Sequence, residues 1–331
     1  MKAIEQRGYG GPDQLELRDV ERPEPTDDQV LVRVHVAATN PLDWHFLTGT
    51  PWLLRLMAGL RTPKQPRRGV DLAGVVEAVG SSITGFAPGD EVFGGGNGAF
   101  AEYVVCKETA LAPLPAGMTM GDAAAMPVAA VTALQGLRDH AEAGPGRSIL
   151  INGAGGGVGN YAVQIAKALG AEVTAVCGTH NVEIVRSLGA DRVIDYTTTD
   201  VVAEAAASGR TYDAILDNVG NRSLADCRRL LTDDGVLVIV SGPKKNRLLG
   251  PIARSIRAKI RFLIGGQKAV TFTAKETADE LAALSRMVEQ GQLRSVIDRT
   301  YPLAETADAI RYLAEGHSEG KVLIDVIDEA G

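Results

Sequence analysis

Two patterns of apolar and polar positions divide the chain. From residue 148 to residue 273, short apolar runs rich in β-branched residues are separated by segments whose apolar residues recur at helical spacing. Strands that are apolar along their length and separated by helices are typical of a parallel, doubly wound sheet. The predicted strands are 148–152, 172–176, 191–195, 212–217, 235–240 and, as a candidate sixth, 268–273.

The first part of the chain has a different residue pattern. Residues 1–121 hold short strands punctuated by glycine and proline, such as 29–38, 72–80 and 101–106, and these predict a β-rich domain with barrel-like closure. A helix pattern from Ala278 to Gln290 and a final strand at 321–326 are expected to return to it. The sequence therefore predicts two domains, one formed by 1–121 and 274–331, the other by 122–273.

A glycine run separates the first apolar strand from a helix pattern. Gly153, Gly156 and Gly159 are spaced three residues apart, and Ala154 also allows an A-x-G-x-x-G spacing. Glycines at a strand-to-helix turn let the backbone approach a pyrophosphate, which then lies on the N–H groups of the helix start. A flexible loop has the same letters, but the strand before and the helix after favour a dinucleotide site.

Composition and charge are those of a globular enzyme. Apolar residues make up 45% of the 331 positions, and the net charge of −7 argues against a general nucleic-acid binder. Cys106, Cys177 and Cys227 show no C-x-x-C spacing, so neither a disulfide framework nor a structural zinc lobe is indicated. The absence of an apolar signal core and of a membrane-spanning run predicts a cytoplasmic protein.

Eight short motifs follow one another along the whole chain. They are NPLD (40–43), GVDLAGVV (69–76), GFAPGDEVF (85–93), AAMP (124–127), GAGGGVG (153–159), VIDY (193–196), DNVG (217–220) and GHSEGKVLI (316–324). In this order they resemble the medium-chain dehydrogenase/reductase superfamily, in the zinc-free quinone oxidoreductase branch that includes zeta-crystallin and the reticulon-interacting oxidoreductase. The resemblance implies an α/β protein with a GroES-like catalytic domain, a Rossmann dinucleotide-binding domain and a homodimeric assembly.

The residues argue against the metal site of the zinc-dependent relatives. Where those relatives place a cysteine and a Gly-His-Glu motif, this chain has Asn40 and Gly69-Val70-Asp71, so a thiolate and an imidazole are both missing. No metal is therefore expected. The resemblance then implies hydride delivery to a conjugated small-molecule acceptor, a quinone, an enone or an enal. The alternatives are an enoyl-thioester reductase and a cofactor-binding scaffold with little turnover.

The second apolar strand carries the signal for the kind of nicotinamide. It ends in residues 177–181 without a carboxylate, which favours NADPH, although NADH remains an alternative. Asn181 stands where the resemblance leads one to expect lysine, and His180 or Arg192 is a candidate replacement. The resemblance assigns the phosphate end of the cofactor to Gly178, Thr179, Asn181 and Tyr196. For Tyr196 the alternative is that its side chain only packs beside a strand.

The remaining cofactor positions are also implied by the resemblance. Thr132 has an alternative role as a helix N-terminal hydroxyl, and Lys321 is as well explained as a solvated charge at a strand end. Several of these positions lie at the carboxyl ends of predicted parallel strands, where such sheets bind ligands. The full set of remaining cofactor positions is Thr132, Gly155, Gly156, Gly157, Val158, Asn218, Val219, Ser241, Gly242, Phe272, Thr273 and Lys321.

No strong acid–base group stands out at the reacting centre. Asn40 is a candidate donor to a developing enolate or hydroquinone oxygen, or else an Asn-Pro turn at a strand end. Asp43 is expected to hold a loop or an arginine. Trp44, Phe46 and Trp52 form an aromatic loop that either lines an apolar pocket for a planar acceptor or belongs to the local core. The product proton is expected to come from water.

One basic segment departs from the acidic balance of the chain. Between residues 244 and 268 there are eight lysines and arginines and no acidic residue. Ile252, Ile256, Ile260 and Leu263 fall on one helical face of it. A lid or a subunit contact is the favoured interpretation, and a helix lying on a membrane surface is the alternative.

Overall fold

The computed structural model describes residues 1–242, 251–316 and 318–327, with side chains from residue 253 onward in the second range. Lys244, Lys245 and Arg247 of the basic segment lie outside the described residues, as does the side chain of Ile252. The chain divides into two compact units: residues 1–131 with 275–331, and residues 132–274. The second unit thus starts at Thr132 rather than at residue 122.

Strands and helices are numbered in chain order. The strands are β1 (Lys2–Gln6), β2 (Leu15–Asp19), β3 (Gln29–Ala38), β4 (Asp71–Val79), β5 (Glu91–Gly95), β6 (Tyr103–Lys107), β7 (Leu111–Pro113), β8 (Ser148–Asn152), β9 (Glu172–Cys177), β10 (Arg192–Asp195), β11 (Tyr212–Asp217), β12 (Leu231–Ile239), β13 (Lys268–Thr271), β14 (Ile297–Pro302) and β15 (Lys321–Asp325). The helices are α1 (Pro41–Thr48), α2 (Leu54–Ala58), α3 (Met120–Ala124), α4 (Pro127–Gln135), α5 (Gly157–Ala168), α6 (Val182–Ser187), α7 (Val201–Ser208), α8 (Leu224–Leu230), α9 (Pro251–Arg261), α10 (Ala278–Glu289) and α11 (Thr306–Glu315).

The second unit is built on a six-stranded parallel sheet. Its strand order is β10-β9-β8-β11-β12-β13, so the chain starts at the centre, winds to one edge and then to the other. That is the order of doubly wound dinucleotide-binding sheets. Strands β8 and β11 are almost wholly buried, because helices cover both faces. The predicted doubly wound fold is confirmed.

The first unit is built on a mostly antiparallel sheet. The order is β14-β15-β3-β4-β5-β7, with β6 also paired to β3, and β1 and β2 form a separate ribbon. Ala38 of β3 is opposite both Asp71 of β4 and Leu323 of β15. The end of β3 therefore meets the starts of β4 and β15, and this register gathers polar residues that are far apart in the sequence.

The aromatic segment after β3 is a helix rather than a loop. Asn40 precedes its first turn, Pro41 occupies the first position, and Gly49 ends it with a left-handed φ of 59°. Proline is favoured at the first helical position because that N–H has no partner in the helix anyway. Trp44 and Phe46 are therefore helical, and only Trp52 lies beyond the end of α1.

No helix in the described ranges is long and apolar enough to cross a membrane.

Candidate functional site

The glycine turn of the second unit contains glycines of two kinds. Gly153 has φ of +80°, and a Cβ there would lie 2.5 Å from Val219 Cγ2. A Cβ on Gly159 would lie 2.1 Å from the carbonyl oxygen of Gly153. The helix can therefore pack against the turn only if residue 159 has no side chain. Gly156 is different, because a Cβ there would meet only the Gly153 oxygen at 3.8 Å. The protein itself does not require glycine at position 156.

This open space lies at the start of α5. Gly156 is the N-cap, and Gly157 and Val158 form the first turn; all three are half-buried, whereas Gly155 is buried. The leading N–H groups of a helix and its dipole favour an anion at that point. A negatively charged pyrophosphate therefore fits the space that glycine leaves at position 156.

The carboxyl ends of β8 and β11 carry a polar network beside this turn. The Asn152 side chain donates to Asp217 Oδ1 at 2.8 Å, and Arg254 donates to Asp217 Oδ2 at 2.7 Å. The next residue, Asn218, has buried amide Nδ2 and Oδ1 atoms that both lack a partner. Buried amides are normally satisfied. The orphaned Asn218 amide at this strand edge is thus a second feature that fits a bound cofactor.

The positions assigned to a 2′-phosphate come together at the end of β9. A Cβ on Gly178 would lie 3.4 Å from the Tyr196 hydroxyl, and the Tyr196 side chain is 56% exposed. Packing beside a strand therefore does not explain this tyrosine. Thr179 donates to Asp195 Oδ2 at 2.7 Å, and the N–H and hydroxyl of Thr197 donate to Asp195 Oδ1 at 2.9 and 2.7 Å, so both oxygens of this nearby carboxylate are engaged within the protein.

Asn181, at the expected lysine position, and its two candidate replacements differ in their surroundings. Arg192 forms an ion pair with Glu204, so its charge is already engaged. The Asn181 side chain packs on the glycine turn, 2.4 Å from where a Cβ on Gly155 would stand, and its Oδ1 is buried without a partner. His180 is exposed. Of the two candidate replacements, His180 is thus the one whose side chain is exposed.

The other assigned cofactor positions lie at the ends of strands or in α4. Phe272 follows β13, and its ring lies 4.6 Å from that of His140. The same ring would be 3.3 Å from a Cβ on Gly136. Thr132 is a half-buried residue inside α4 rather than at its start, which argues against the N-terminal hydroxyl role. Ser241 and Gly242 follow β12, and Thr273 follows Phe272.

A buried polar cluster forms where β3, β4 and β15 meet in the first unit. The Lys321 ammonium donates to Asn40 Oδ1 at 2.7 Å, to the Thr39 carbonyl at 3.1 Å and to Asp71 Oδ2 at 3.2 Å. Asn40 Nδ2 donates to the same Asp71 oxygen at 2.9 Å. Lys321 is 4% exposed and Asp71 is fully buried. The explanation of Lys321 as a solvated strand-end charge is therefore wrong.

Asn40 is held in one orientation by this cluster. Its amide oxygen faces an ammonium and its amide nitrogen faces a carboxylate, so the two ends of the side chain cannot be exchanged without placing like partners together. Asn40 also precedes α1, so the turn explanation is compatible with the hydrogen-bond role. One N–H of Nδ2 is left over for another acceptor.

Asp43 lies behind Asn40 and holds the backbone. Its carboxylate accepts from the N–H of Asn40 at 2.7 Å and from the N–H of Gly69 at 3.3 Å. Burial raises the pKa of Asp43 to about 7. The predicted loop-holding role agrees with these contacts.

Glu276 is a cluster member that sequence reasoning missed. Its carboxyl group packs on Gly95, whose Cβ would lie 2.6 Å from Glu276 Oε1, and that oxygen is buried without a partner. Burial, reinforced by repulsion from Asp71, raises the pKa of Glu276 to about 8. The neighbouring sequence is polar and carries no motif, so no local signal marks Glu276 as buried.

The three aromatic candidates have different surroundings. Trp44 packs on the core of the first unit, and the Phe46 ring lies 5.7 Å from the Arg68 guanidinium carbon. Trp52 is 51% exposed and is followed by the exposed apolar residues Leu53, Leu56, Met57 and Leu60. Trp44 therefore follows the local-core alternative.

The oxygen atoms of Asn40 and Asp71 at this cluster already surround a cation, the Lys321 ammonium. Among the described residues, no group of three or more histidine, cysteine or carboxylate side chains is arranged to hold a metal ion. Asn40 and Asp71, which stand where zinc-dependent relatives place ligands, are both bonded to Lys321. The ammonium supplies a fixed positive charge beside an amide N–H, an arrangement that can stabilise a developing oxyanion.

Comparisons with known proteins cover nearly the whole chain. The family model described as "Alcohol dehydrogenase GroES-like domain" matches residues 26–116, and the one described as "Zinc-binding dehydrogenase" matches residues 188–324. The chain is 33% identical over 335 residues to a chloroplastic quinone-oxidoreductase homolog of Spinacia oleracea, with 98% of each chain covered.

Two further similarities bear on fold and chemistry. An NADPH-dependent alkenal/one oxidoreductase of Arabidopsis thaliana, also chloroplastic, is 32% identical over 98% of this chain and 79% of its own length. The solved structure of a quinone oxidoreductase from Coxiella burnetii superposes with a TM-score of 0.84 at 29% identity, covering 99% of both chains.

Proposed function

The chain belongs to the quinone oxidoreductase family of the medium-chain dehydrogenase/reductase superfamily and is an NAD(P)H-dependent oxidoreductase, and from that premise we propose that it transfers hydride from NADPH to a quinone or an α,β-unsaturated carbonyl without zinc. The observation that carries the proposal is the Lys321–Asp71–Asn40 cluster. A lysine ammonium bonded to the residues that would otherwise ligate a metal leaves electrostatic activation of the acceptor oxygen as their chemistry.

In this proposal the second unit binds the cofactor at the glycine turn and at the end of β9. The pyrophosphate binds at Gly156, Gly157 and Val158, and the Asn218 amide supplies its unpartnered donor and acceptor to the bound nucleotide. Tyr196 and the backbone at Gly178 receive the 2′-phosphate. The bound nicotinamide supplies the hydride.

At the acceptor, Asn40 donates its remaining Nδ2 hydrogen to the oxygen on which negative charge develops. Lys321 and Asp71 are positioning residues, because they hold the amide in the orientation that presents nitrogen to the acceptor. Removing one oxyanion-type donor costs roughly 10²–10³ in kcat in other enzymes. We expect a loss on the order of 10² for Asn40→Ala with little change in KM for NADPH.

An acceptor screen tests the proposal. NADPH oxidation is measured with 1,4-quinones, enones, 2-alkenals and crotonyl thioesters, and the reverse direction with simple alcohols and NADP⁺. Turnover of quinones, enones or 2-alkenals is expected, with a kcat/KM for NADPH well above that for NADH and a smaller ratio in Tyr196→Phe. Selective turnover of thioesters would favour the enoyl reductase instead, and binding without turnover would favour a scaffold.

A further inference from the structure

Helix α9 packs on the second unit through one face only. Arg254, Ala258 and Phe262 recur every four residues and are all buried, at 7%, 0% and 7% exposure. Side chains spaced by four residues lie on one face of a helix. This face seals the apolar core beneath β12 and β13.

The helix is fixed at both ends of this face. Arg254 donates to Asp217 Oδ2 and to the Arg222 carbonyl, each at 2.7 Å. Beyond the other end, Arg228 donates to the carbonyls of Arg261 and Ile264 at 2.9 and 3.2 Å. The orientation of α9 is therefore set by buried polar contacts as well as by packing.

The opposite face is apolar and exposed. Ile256 and Ile260 are 50% and 63% exposed, and Leu263 and Ile264, just past the helix end, are 75% and 83% exposed. Each of the four is a large aliphatic side chain, and helical spacing places Ile256 and Ile260 on the side away from Arg254 and Ala258. Contiguous apolar side chains on a fixed surface indicate an interaction site rather than chance exposure.

Cations flank this apolar ridge. Arg257 and Arg261 lie on one side of it and Lys259 on the other, and all three are exposed. From residue 244 to residue 268 the sequence contains eight basic and no acidic residues, although the whole chain has a net charge of −7. Ile256, Arg257, Lys259, Ile260, Arg261, Leu263 and Ile264 are called the α9 face below.

We propose that the α9 face binds the surface of an anionic phospholipid bilayer. The four aliphatic side chains enter the boundary between headgroups and acyl chains, and the three cations contact lipid phosphates. The helix axis lies in the plane of the surface, as expected for an amphipathic helix with basic flanks. The assignment does not depend on the identity of the electron acceptor.

Charge favours a lipid surface over a second copy of the chain. In a two-fold interface the same patch meets itself, so the three cations of the α9 face, which holds no carboxylate, would be brought against a second copy of the same cations. Like charges at a desolvated contact oppose association. A bilayer containing anionic lipid offers both an apolar layer and the opposite charge.

Vesicle co-sedimentation tests the proposal with the full-length protein in the absence of substrate. Binding is expected to vesicles of phosphatidylcholine with phosphatidylglycerol at low salt, to weaken as salt rises, and to be absent with phosphatidylcholine alone. The variant Ile260→Gln/Leu263→Gln/Ile264→Gln and the variant Arg257→Gln/Lys259→Gln/Arg261→Gln should each lower the partition coefficient at least tenfold. All six side chains are exposed, so melting temperatures should stay near that of the parent.

The matched control is Leu56→Gln/Met57→Gln, which removes equally exposed apolar side chains from α2 in the first unit. It should bind vesicles as the parent does. Equal loss in this control would mean that binding follows general surface hydrophobicity and would overturn the assignment to α9. Absence of vesicle binding at low salt would also overturn it. If, in addition, the parent is a dimer and the α9 variants are monomers, the α9 face is a contact between two copies of the chain.

Discussion

Gly156 and Gly159 lie in the same turn, yet a methyl group added to each would meet different surroundings. At Gly159 the methyl would collide with a backbone carbonyl at 2.1 Å, whereas at Gly156 the nearest protein atom is 3.8 Å away. The backbone at Gly156 has an ordinary φ of −86°. Gly159 is thus needed for folding, whereas the glycine at position 156 is explained by a ligand that approaches the backbone there.

Gly156→Asp is therefore expected to fold normally and to lose NADPH. The added carboxylate would stand where the pyrophosphate binds, so affinity should fall more than tenfold, or about 1.4 kcal/mol. Calorimetric titration measures the affinity and thermal melting measures the fold. Gly159→Ala provides the contrast, because it should lower the melting temperature sharply. Unchanged NADPH affinity in Gly156→Asp would place the pyrophosphate elsewhere.

Lys321 and Asp71 form a buried ion pair whose members cannot be removed separately without cost. Lys321→Met leaves an uncompensated carboxylate in a buried site, a change that typically costs about 3–5 kcal/mol. The double variant Lys321→Met/Asp71→Asn should recover a large part of that loss. Melting temperatures of the two single variants and the double variant form the cycle. Strict additivity of the two losses would contradict the pairing.

Glu276 makes the stability depend on pH in a direction opposite to that of a salt-bridged carboxylate. Its ordinary pKa of 4.5 is raised to about 8 in the folded chain, so the folded state holds a proton that the unfolded state has released between these values. Its contribution to stability is thus lost as pH rises from about 4.5 to 8. Glu276→Gln should melt near the parent below pH 5 and above it at pH 8.5. An equal difference at both pH values would show that Glu276 ionises freely.

Among single residues, the sequence predicted what depends on neighbours in the chain and missed what depends on distant ones. Asn40 is a candidate because the resemblance places it at a ligand position of the zinc-dependent relatives, and Gly156 because of its spacing from Gly153 and Gly159. The partners Lys321 and Asp71 are 250 positions apart, so no local pattern could show that the lysine is buried against the aspartate. Arg254 likewise looks like one more cation of a basic segment until Asp217 is placed beside it.

Among elements, apolar strands of the parallel sheet were the most predictable. The strand at 212–217 has the predicted limits and the first strand begins at Ser148 as predicted, because a strand buried on both faces must be apolar throughout. Helix α1 was missed because its aromatic residues face several ways and give no amphipathic stripe. Its start signal, Asn40 followed by Pro41, fits a turn equally well when read alone.

Helix α9 shows how one buried contact governs an element. Arg254→Met would remove the guanidinium from Asp217 and from the Arg222 carbonyl, and the helix would keep only its apolar packing. Hydrogen exchange at residues 258–262 should accelerate at least tenfold, because opening of α9 would cost less free energy. Arg257→Met, which changes an exposed residue of the same helix, should leave the exchange unaltered. Similar rates in both variants would show that Arg254 does not anchor α9.

For the whole molecule, the proposed zinc-independence is open to direct measurement. Lys321 supplies the positive charge at the cluster, so elemental analysis of the purified protein should find no stoichiometric zinc. EDTA or phenanthroline should leave quinone reduction unchanged. About one zinc per chain, with activity lost on chelation, would overturn both the role given to the cluster and the reaction class.

The first unit is assembled from two separate stretches of chain, and this imposes an order on its synthesis. Residues 132–274 emerge from the ribosome as one continuous stretch, whereas β15 emerges only after them and must then enter the sheet between β14 and β3. Until it does, residues 36–38 of β3 have an unpaired edge and Asp71 has no ammonium. The first unit is thus completed only after residues 132–274 have been made, and deleting β15 would damage a sheet most of whose strands precede it in the chain.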